Sequence, residues 1–148
     1  MLEHIDFSGE QYTQALDQSA GLRSIRVLAV DDEPDVVETI VELMTDFGFE
    51  IVGETDPYAA VDRVRKFAPD VVILDIMMPG MDGYEFAEKM KEDDRTRNIP
   101  IVYLTSKEIR NDLCQSFARG GTLFVKKPFL ADELADSLRI ATALAKTF

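Results

Sequence analysis

Four short apolar runs, each closed abruptly by polar or charged residues, constrain the fold of this chain more than any other feature. Residues 25–30 are closed by Asp31 and Asp32, residues 71–74 by Asp75, residues 101–104 by Thr105 and Ser106, and residues 123–125 by Lys126 and Lys127. Runs this short, rich in β-branched residues and apolar at successive positions, read as strands buried on both faces of a parallel sheet. Between them apolar residues recur at helical spacing. Pro34 fits the first position of a helix carrying Val36, Val37, Ile40, Val41, Leu43, Met44 and Phe47, which Gly48 ends. A short strand over residues 50–54 leads through Asp56 and Pro57 into a helix with Ala60, Val61, Val64 and Phe67. Asp82 and Gly83 open a third helix with Phe86, Ala87 and Met90 facing inward. Ile109, Leu113 and Phe117 mark a fourth, and Leu130, Leu134, Leu138, Ala141 and Ala145 line one face of the last. Five strand–helix units in succession predict an α/β domain built on a doubly wound parallel sheet.

In such a sheet chemistry gathers beyond the carboxyl ends of the strands. If the strands ending at Asp31 and Asp75 are neighbours, three carboxylates converge there. Two like charges about 4 Å apart repel by roughly 4 kcal/mol at an effective dielectric near 20. The cluster therefore calls for a cation, a shared proton or a chemical task. Mg²⁺ is a hard dication that takes one or two carboxylates together with phosphate oxygens and waters. The Thr105 hydroxyl and a lysine ammonium suit the oxygens of a phosphoryl group, and the set points to phosphoryl transfer onto a carboxylate. Plainer readings stand beside this one. Asp31 and Asp32 could cap the following helix, although a cap needs only one acid; Asp75 could serve the turn at Pro79 and Gly80, and Thr105 could simply end a strand.

Four segments taken in order, residues 30–33 (Val-Asp-Asp-Glu), 74–83 (Leu-Asp-Ile-Met-Met-Pro-Gly-Met-Asp-Gly), 104–106 (Leu-Thr-Ser) and 124–129 (Phe-Val-Lys-Lys-Pro-Phe), carry a family resemblance. Over residues 25–146 the chain resembles the receiver domains of two-component response regulators. The resemblance implies a flavodoxin-like receiver fold, a five-stranded sheet in the order 2-1-3-4-5. It implies that Asp75 is the phosphoacceptor, and that Mg²⁺ is held by Asp31, Asp32, Asp75 and the backbone carbonyl of Met77. Lys127 would pair with Asp75 and the incoming phosphoryl group, Thr105 would donate a hydrogen bond to a phosphoryl oxygen, and Phe124 would be the switch aromatic that follows Thr105. Successive strand side chains face opposite ways, so only one of Lys126 and Lys127 reaches the site. The family uses the lysine before proline and makes that Lys127–Pro128 bond cis. Side chains two positions past the nucleophile and the threonine, here Met77 and Lys107, influence attack by water.

The implied function is a phosphorylation-dependent signalling switch rather than a turnover enzyme. The donor would be a sensor histidine kinase or a histidine phosphotransfer protein, and the output contact a downstream protein target. A stand-alone single-domain receiver is the leading form. The alternative is a fragment of a longer response regulator with a DNA-binding or enzymatic output domain. A phosphatase turning over through an aspartyl phosphate, as in haloacid-dehalogenase-like enzymes, would place a second acid where this chain has Met77.

At 148 residues the chain fits one domain with a real core. Residues 1–24 stand outside the strand–helix alternation, as a tail or as a short helix through Tyr12, Ala15 and Leu16 opened by Ser8 and Gln11 at capping-box spacing; residues 25–148 make the receiver. A net charge of −12, with acids spread along the chain, argues against direct nucleic acid binding. Cys114 is the only cysteine, which excludes an internal disulfide and a cysteine-based zinc site. His4, the only histidine, lies in the tail and is no relay site. No apolar run approaches the roughly 20 residues of a membrane span, and the N-terminus has no signal-peptide pattern, so the cytoplasm is the expected location. Receiver dimers commonly use the last helix. Ile140 and Leu144 edge its apolar arc here, which a homodimer or a broad core contact would equally explain.

Overall fold

Each apolar run forms a strand in a computed structural model that describes residues 23–106 and 123–147. The strands are β1 (Arg26–Val30), β2 (Glu50–Glu54), β3 (Val71–Asp75), β4 (Ile101–Thr105) and β5 (Leu123–Lys126). The helices are α1 (Pro34–Asp46), α2 (Pro57–Phe67), α3 (Gly83–Lys91) and α4 (Ala131–Thr147). The helices expected near Tyr12 and over Ile109, Leu113 and Phe117 lie outside the described residues, as do His4, Lys107 and Cys114.

All strands are parallel, in the order β2-β1-β3-β4-β5. The chain steps from β1 to β2 in one direction and then jumps back across β1 to β3. Crossovers between parallel strands keep one hand, so this reversal moves the connecting helices to the opposite face. The core accordingly has two layers. On one face Val27, Ala29, Val71, Ile73, Val102 and Leu104 pack against Ile40 and Met44 of α1 and Leu134 and Leu138 of α4. On the other, Leu28, Val30, Val72, Leu74, Ile101 and Tyr103 pack against Ala60 and Val64 of α2 and Phe86 and Met90 of α3. Strands β3 and β4 are buried at every position, as continuous apolar runs require.

The last helix departs from expectation. Leu130 precedes α4 and is 63 % exposed, and Ala145 is exposed as well. The buried stripe is Leu134, Ala135, Leu138, Ala141 and Thr142. Leu130 stands ahead of the first helical residue, and Ala145, although it shares the angular face of Leu134 and Leu138, falls in the last turn, where residues 143–146 are all exposed. Ile140 and Leu144 are half-exposed on the side of α4 away from the sheet.

Strand alternation also decides what emerges at the carboxyl edge. Continuing past Ala29, Ile73 and Val125, the next positions on the face covered by α1 and α4 are Asp31, Asp75 and Lys127. Thr105 follows Tyr103 on the opposite parity. The switch point lies between β1 and β3, where the connections diverge and leave a crevice. Its far wall is set by Gly83. The Gly83 N–H donates to the Ile76 carbonyl at 2.9 Å, and the Asp82 carboxylate caps α3 by accepting from the Glu85 N–H at 2.9 Å. A β-carbon at Gly83 would stand 2.8 Å from the Asp75 carbonyl oxygen and 2.9 Å from the Ile76 Cα, both rigid backbone. Gly83→Ala is expected to cost about 1–3 kcal/mol through overpacking, read as a lower urea midpoint with an unchanged slope. An unchanged midpoint would refute the close approach.

Candidate functional site

Asp31, Asp32 and Asp75 each offer a carboxylate oxygen within 4.8 Å of the others. Asp31 and Asp75 are buried and Asp32 is half-buried. Neither of the paired acids is consumed as a helix cap. The N-cap of α1 is Glu33, without a side-chain cap bond, and Asp31 Oδ1 instead accepts the Glu33 N–H at 3.0 Å within the loop. The Met77 N–H donates to Asp75 Oδ1 at 3.3 Å. The Met77 side chain is 54 % exposed beside the cluster.

Lys127 crosses from β5, with Nζ 3.0 Å from Asp31 Oδ2 and 3.6 Å from Asp75 Oδ1. Its backbone N–H donates to the Thr105 carbonyl at 2.7 Å, which ties the ends of β4 and β5 together. Lys126 is exposed, as strand alternation requires. The Lys127–Pro128 peptide bond is cis. Thr105 is fully buried, one position past Leu104, the register partner of Asp75. Phe124 pairs in register with Tyr103 and is half-buried against the core layer beneath α2 and α3.

Burial and the neighbouring Asp31 charge push the Asp75 carboxyl up to about 6, against the opposing pull of Lys127 and the Met77 N–H. Burial alone would lower the Lys127 ammonium. The hydrogen bond that the ammonium donates to Asp31, with the charges of Asp31 and Asp75, outweighs it and raises the group above its usual value. The site thus holds a stable cation and an acid group whose ionisation is resisted. Hard oxygen donors crowded this closely around one point fit a hard dication such as Mg²⁺.

Of the residues singled out from the sequence, Asp31, Asp32, Asp75, Met77, Thr105 and Lys127 lie at this edge of the sheet, Phe124 lies within β5 level with Tyr103, and Lys107 is outside the described residues. What the sequence does not reveal is that Lys127 stands nearer Asp31 than Asp75, or that the Tyr58 phenol reaches across from α2 to donate to the Gly80 carbonyl at 3.3 Å. Tyr58 follows a helix-opening proline, and nothing in its local pattern marks it. Among the described residues no helix is long and apolar enough to cross a membrane.

The response regulator receiver domain family matches residues 27–139. The chain is 39 % identical to response regulator Rre1 of Synechocystis sp. over 78 % of its own length and 50 % of that protein. It is 32 % identical to the phosphate regulon transcriptional regulatory protein PhoB of Escherichia coli over 77 % of this chain and 50 % of that one. It thus spans about half the length of these curated relatives. Among solved structures, chemotaxis protein CheY4 of Vibrio cholerae superposes with a TM-score of 0.76 at 28 % identity, covering 80 % of this chain and 99 % of that one. Receiver domains are signalling domains that are phosphorylated by histidine kinases and bind Mg²⁺ at an acidic pocket. The parallel sheet in this order, the acidic crevice at its switch point and the matched sequence together place the chain in the response-regulator receiver family, as the receiver domain of a two-component response regulator.

Proposed function

We propose that Asp75 accepts a phosphoryl group from a phosphohistidine on a sensor histidine kinase or histidine phosphotransfer protein, and that this switches the contact surface offered to a downstream protein. The reading is carried by the meeting of Asp31, Asp32 and Asp75 within 4.8 Å, with the Lys127 ammonium 3.6 Å from Asp75. Asp31, Asp32, Asp75 and the Met77 backbone carbonyl are the groups that would hold Mg²⁺, which when bound neutralises charge on the phosphoryl oxygens. The Asp75 carboxylate attacks phosphorus in line. The nitrogen–phosphorus bond of the donor breaks, and its imidazole leaves and takes a proton from water. Lys127 holds one phosphoryl oxygen, and the Thr105 hydroxyl donates to another. Drawing Thr105 inward opens space for Phe124, which sits on the neighbouring strand with its ring on the α2–α3 side of the sheet. Catalysis here is positioning and charge stabilisation, and the domain speeds its own phosphoryl gain and loss without turning over a substrate.

An apolar groove of about 360 Å³ between Val36 and Leu43 of α1 and Pro128 and Phe129 opens beside the acids and supports donor docking there. The net charge of −12 supports a protein partner rather than nucleic acid for this stretch of chain, in the cytoplasm where kinase and target would meet. Residues 25–148 form the receiver in this reading, and residues 1–24 an extension. A stand-alone receiver and a receiver joined to an output module share this chemistry. The second form is favoured by relatives about twice as long, one of them named a transcriptional regulatory protein.

Incubation with Mg²⁺ and acetyl phosphate is expected to add one phosphoryl group to the wild type and none to Asp75→Asn, read by intact-protein mass. Addition to the variant would move the acceptor elsewhere. Met77→Asn is expected to shorten the life of the phosphorylated form, because an apolar side chain beside Asp75 sheds the attacking water that an amide would orient. An equal dephosphorylation rate refutes that role.

The raised Asp75 carboxyl also weighs on stability. Below about pH 4 the group is protonated in folded and unfolded chains alike, and nothing is lost. Above about 6 the folded state bears the whole penalty of ionisation, on the order of 2–3 kcal/mol. Metal-free Asp75→Asn should therefore melt about 5 °C above the wild type near pH 8, with the gain fading as the pH falls towards 4. Added Mg²⁺ should stabilise the wild type more than the variant. Equal melting temperatures of the metal-free proteins near pH 8 would contradict the charge crowding.

A further inference from the structure

Residues 76–82, joining β3 to α3, form the flank of Asp75. Both ends of this loop are pinned. The Ile76 N–H donates to the Leu104 carbonyl at 3.1 Å, Gly83 closes on Ile76, and the Met78 and Met81 side chains are buried in the core. Met77, Pro79 and Gly80 form an exposed crest between these anchors, with Gly80 in the left-handed region at φ +86°. Among the described residues, Tyr58 is the one side chain from another strand–helix unit that hydrogen-bonds this crest. Its phenol donates to the Gly80 carbonyl at 3.3 Å, and a β-carbon at Gly80 would lie 3.6 Å from the ring.

Tyr58 is itself held. The Asp56 carboxylate accepts its backbone N–H at 2.9 Å, and the Glu54 carboxylate accepts those of Thr55 and Asp56 at 3.0 and 3.1 Å. The Glu54 carbonyl accepts the Asp31 N–H at 3.3 Å. A chain of contacts thus leaves one acid of the cluster, passes through the β2–α2 turn and Tyr58 to Gly80, and returns along the crest to Met77, whose N–H holds Asp75 Oδ1. A ring 61 % exposed gains little from burial at this position. What it does there is restrain a neighbouring loop.

We infer that Tyr58 is a positioning residue of the phosphoryl-acceptor site, acting through Gly80 to hold the Met77 backbone against Asp75. The inference rests on the reading of Asp75 as acceptor. By fixing the crest, Tyr58 keeps one carboxylate oxygen engaged by the Met77 N–H and leaves the other directed to the donor. Small displacements of such a group carry large kinetic effects.

The test is Tyr58→Phe, which keeps the ring and removes only the hydroxyl. Amide hydrogen exchange over residues 77–81 in the metal-free, unphosphorylated protein should quicken by about two- to tenfold, the equivalent of one exposed hydrogen bond. The melting temperature should stay near that of the wild type. Phosphorylation by acetyl phosphate with Mg²⁺ should slow by a similar factor. Unchanged exchange overturns the inference, because the tether then restrains nothing. Faster exchange with an unchanged phosphorylation rate also overturns it, because the crest then has no hold on Asp75. A wild type that takes no phosphoryl group defeats the functional reading instead, and with it any positioning role at an acceptor, while the exchange rates still report whether the tether exists.

Discussion

A carboxylate that is 1 % exposed, as Asp31 is, needs a partner, and the nearest cation arrives from the far end of the chain. Leaving a buried charge uncompensated costs several kcal/mol. The Lys127 ammonium reaches it only if β1, β3, β4 and β5 all hold their registers, because β5 lies three strands from β1. A slip of one residue in β5 would present Lys126 in place of Lys127. The ion pair at 3.0 Å is thus both a product of the sheet and a check on it. The placement of Asp75 beside that pair gives the crevice its chemical character.

The same alternation divides the work of the site between the two faces of the sheet. Asp31, Asp75 and Lys127 continue the layer beneath α1 and α4, while Thr105 continues the layer beneath α2 and α3, where Phe124 also packs. Charge chemistry therefore sits on one side and the aromatic that would report it on the other, with the ends of β3, β4 and β5 between them.

Much of this was legible in the residues because a parallel strand buried on both faces has so few ways to be written. Residues 71–74 and 101–104 could hardly be anything else, and a period of two admits only one of Lys126 and Lys127 to the site, while the choice of Lys127 came from the resemblance. Strand order was not legible from alternation, since parallel neighbours pair across long stretches of chain; it came from the resemblance. The expected row on α4 fails only at its ends, because Leu130 precedes the helix and Ala145 falls in a last turn exposed on every side, and periodicity does not tell where a helix outruns the core. The contact of Tyr58 with Gly80 joins residues 22 apart, the first turn of α2 and the β3–α3 loop, whose approach only the assembled sheet determines.

Gly83 gives the crevice a further mechanical property. No side-chain layer separates the first turn of α3 from the Asp75 and Ile76 backbone, so nothing compressible lies between them. On this wall a shift of the Asp75 main chain towards α3 would press directly on the helix backbone. The opposite wall, with the side chains of Thr105 and half-buried Phe124, is cushioned by rotatable bonds. A strain introduced at Asp75 therefore meets a hard stop on one side and a soft one on the other, and this imbalance of stiffness sets the direction in which the domain yields.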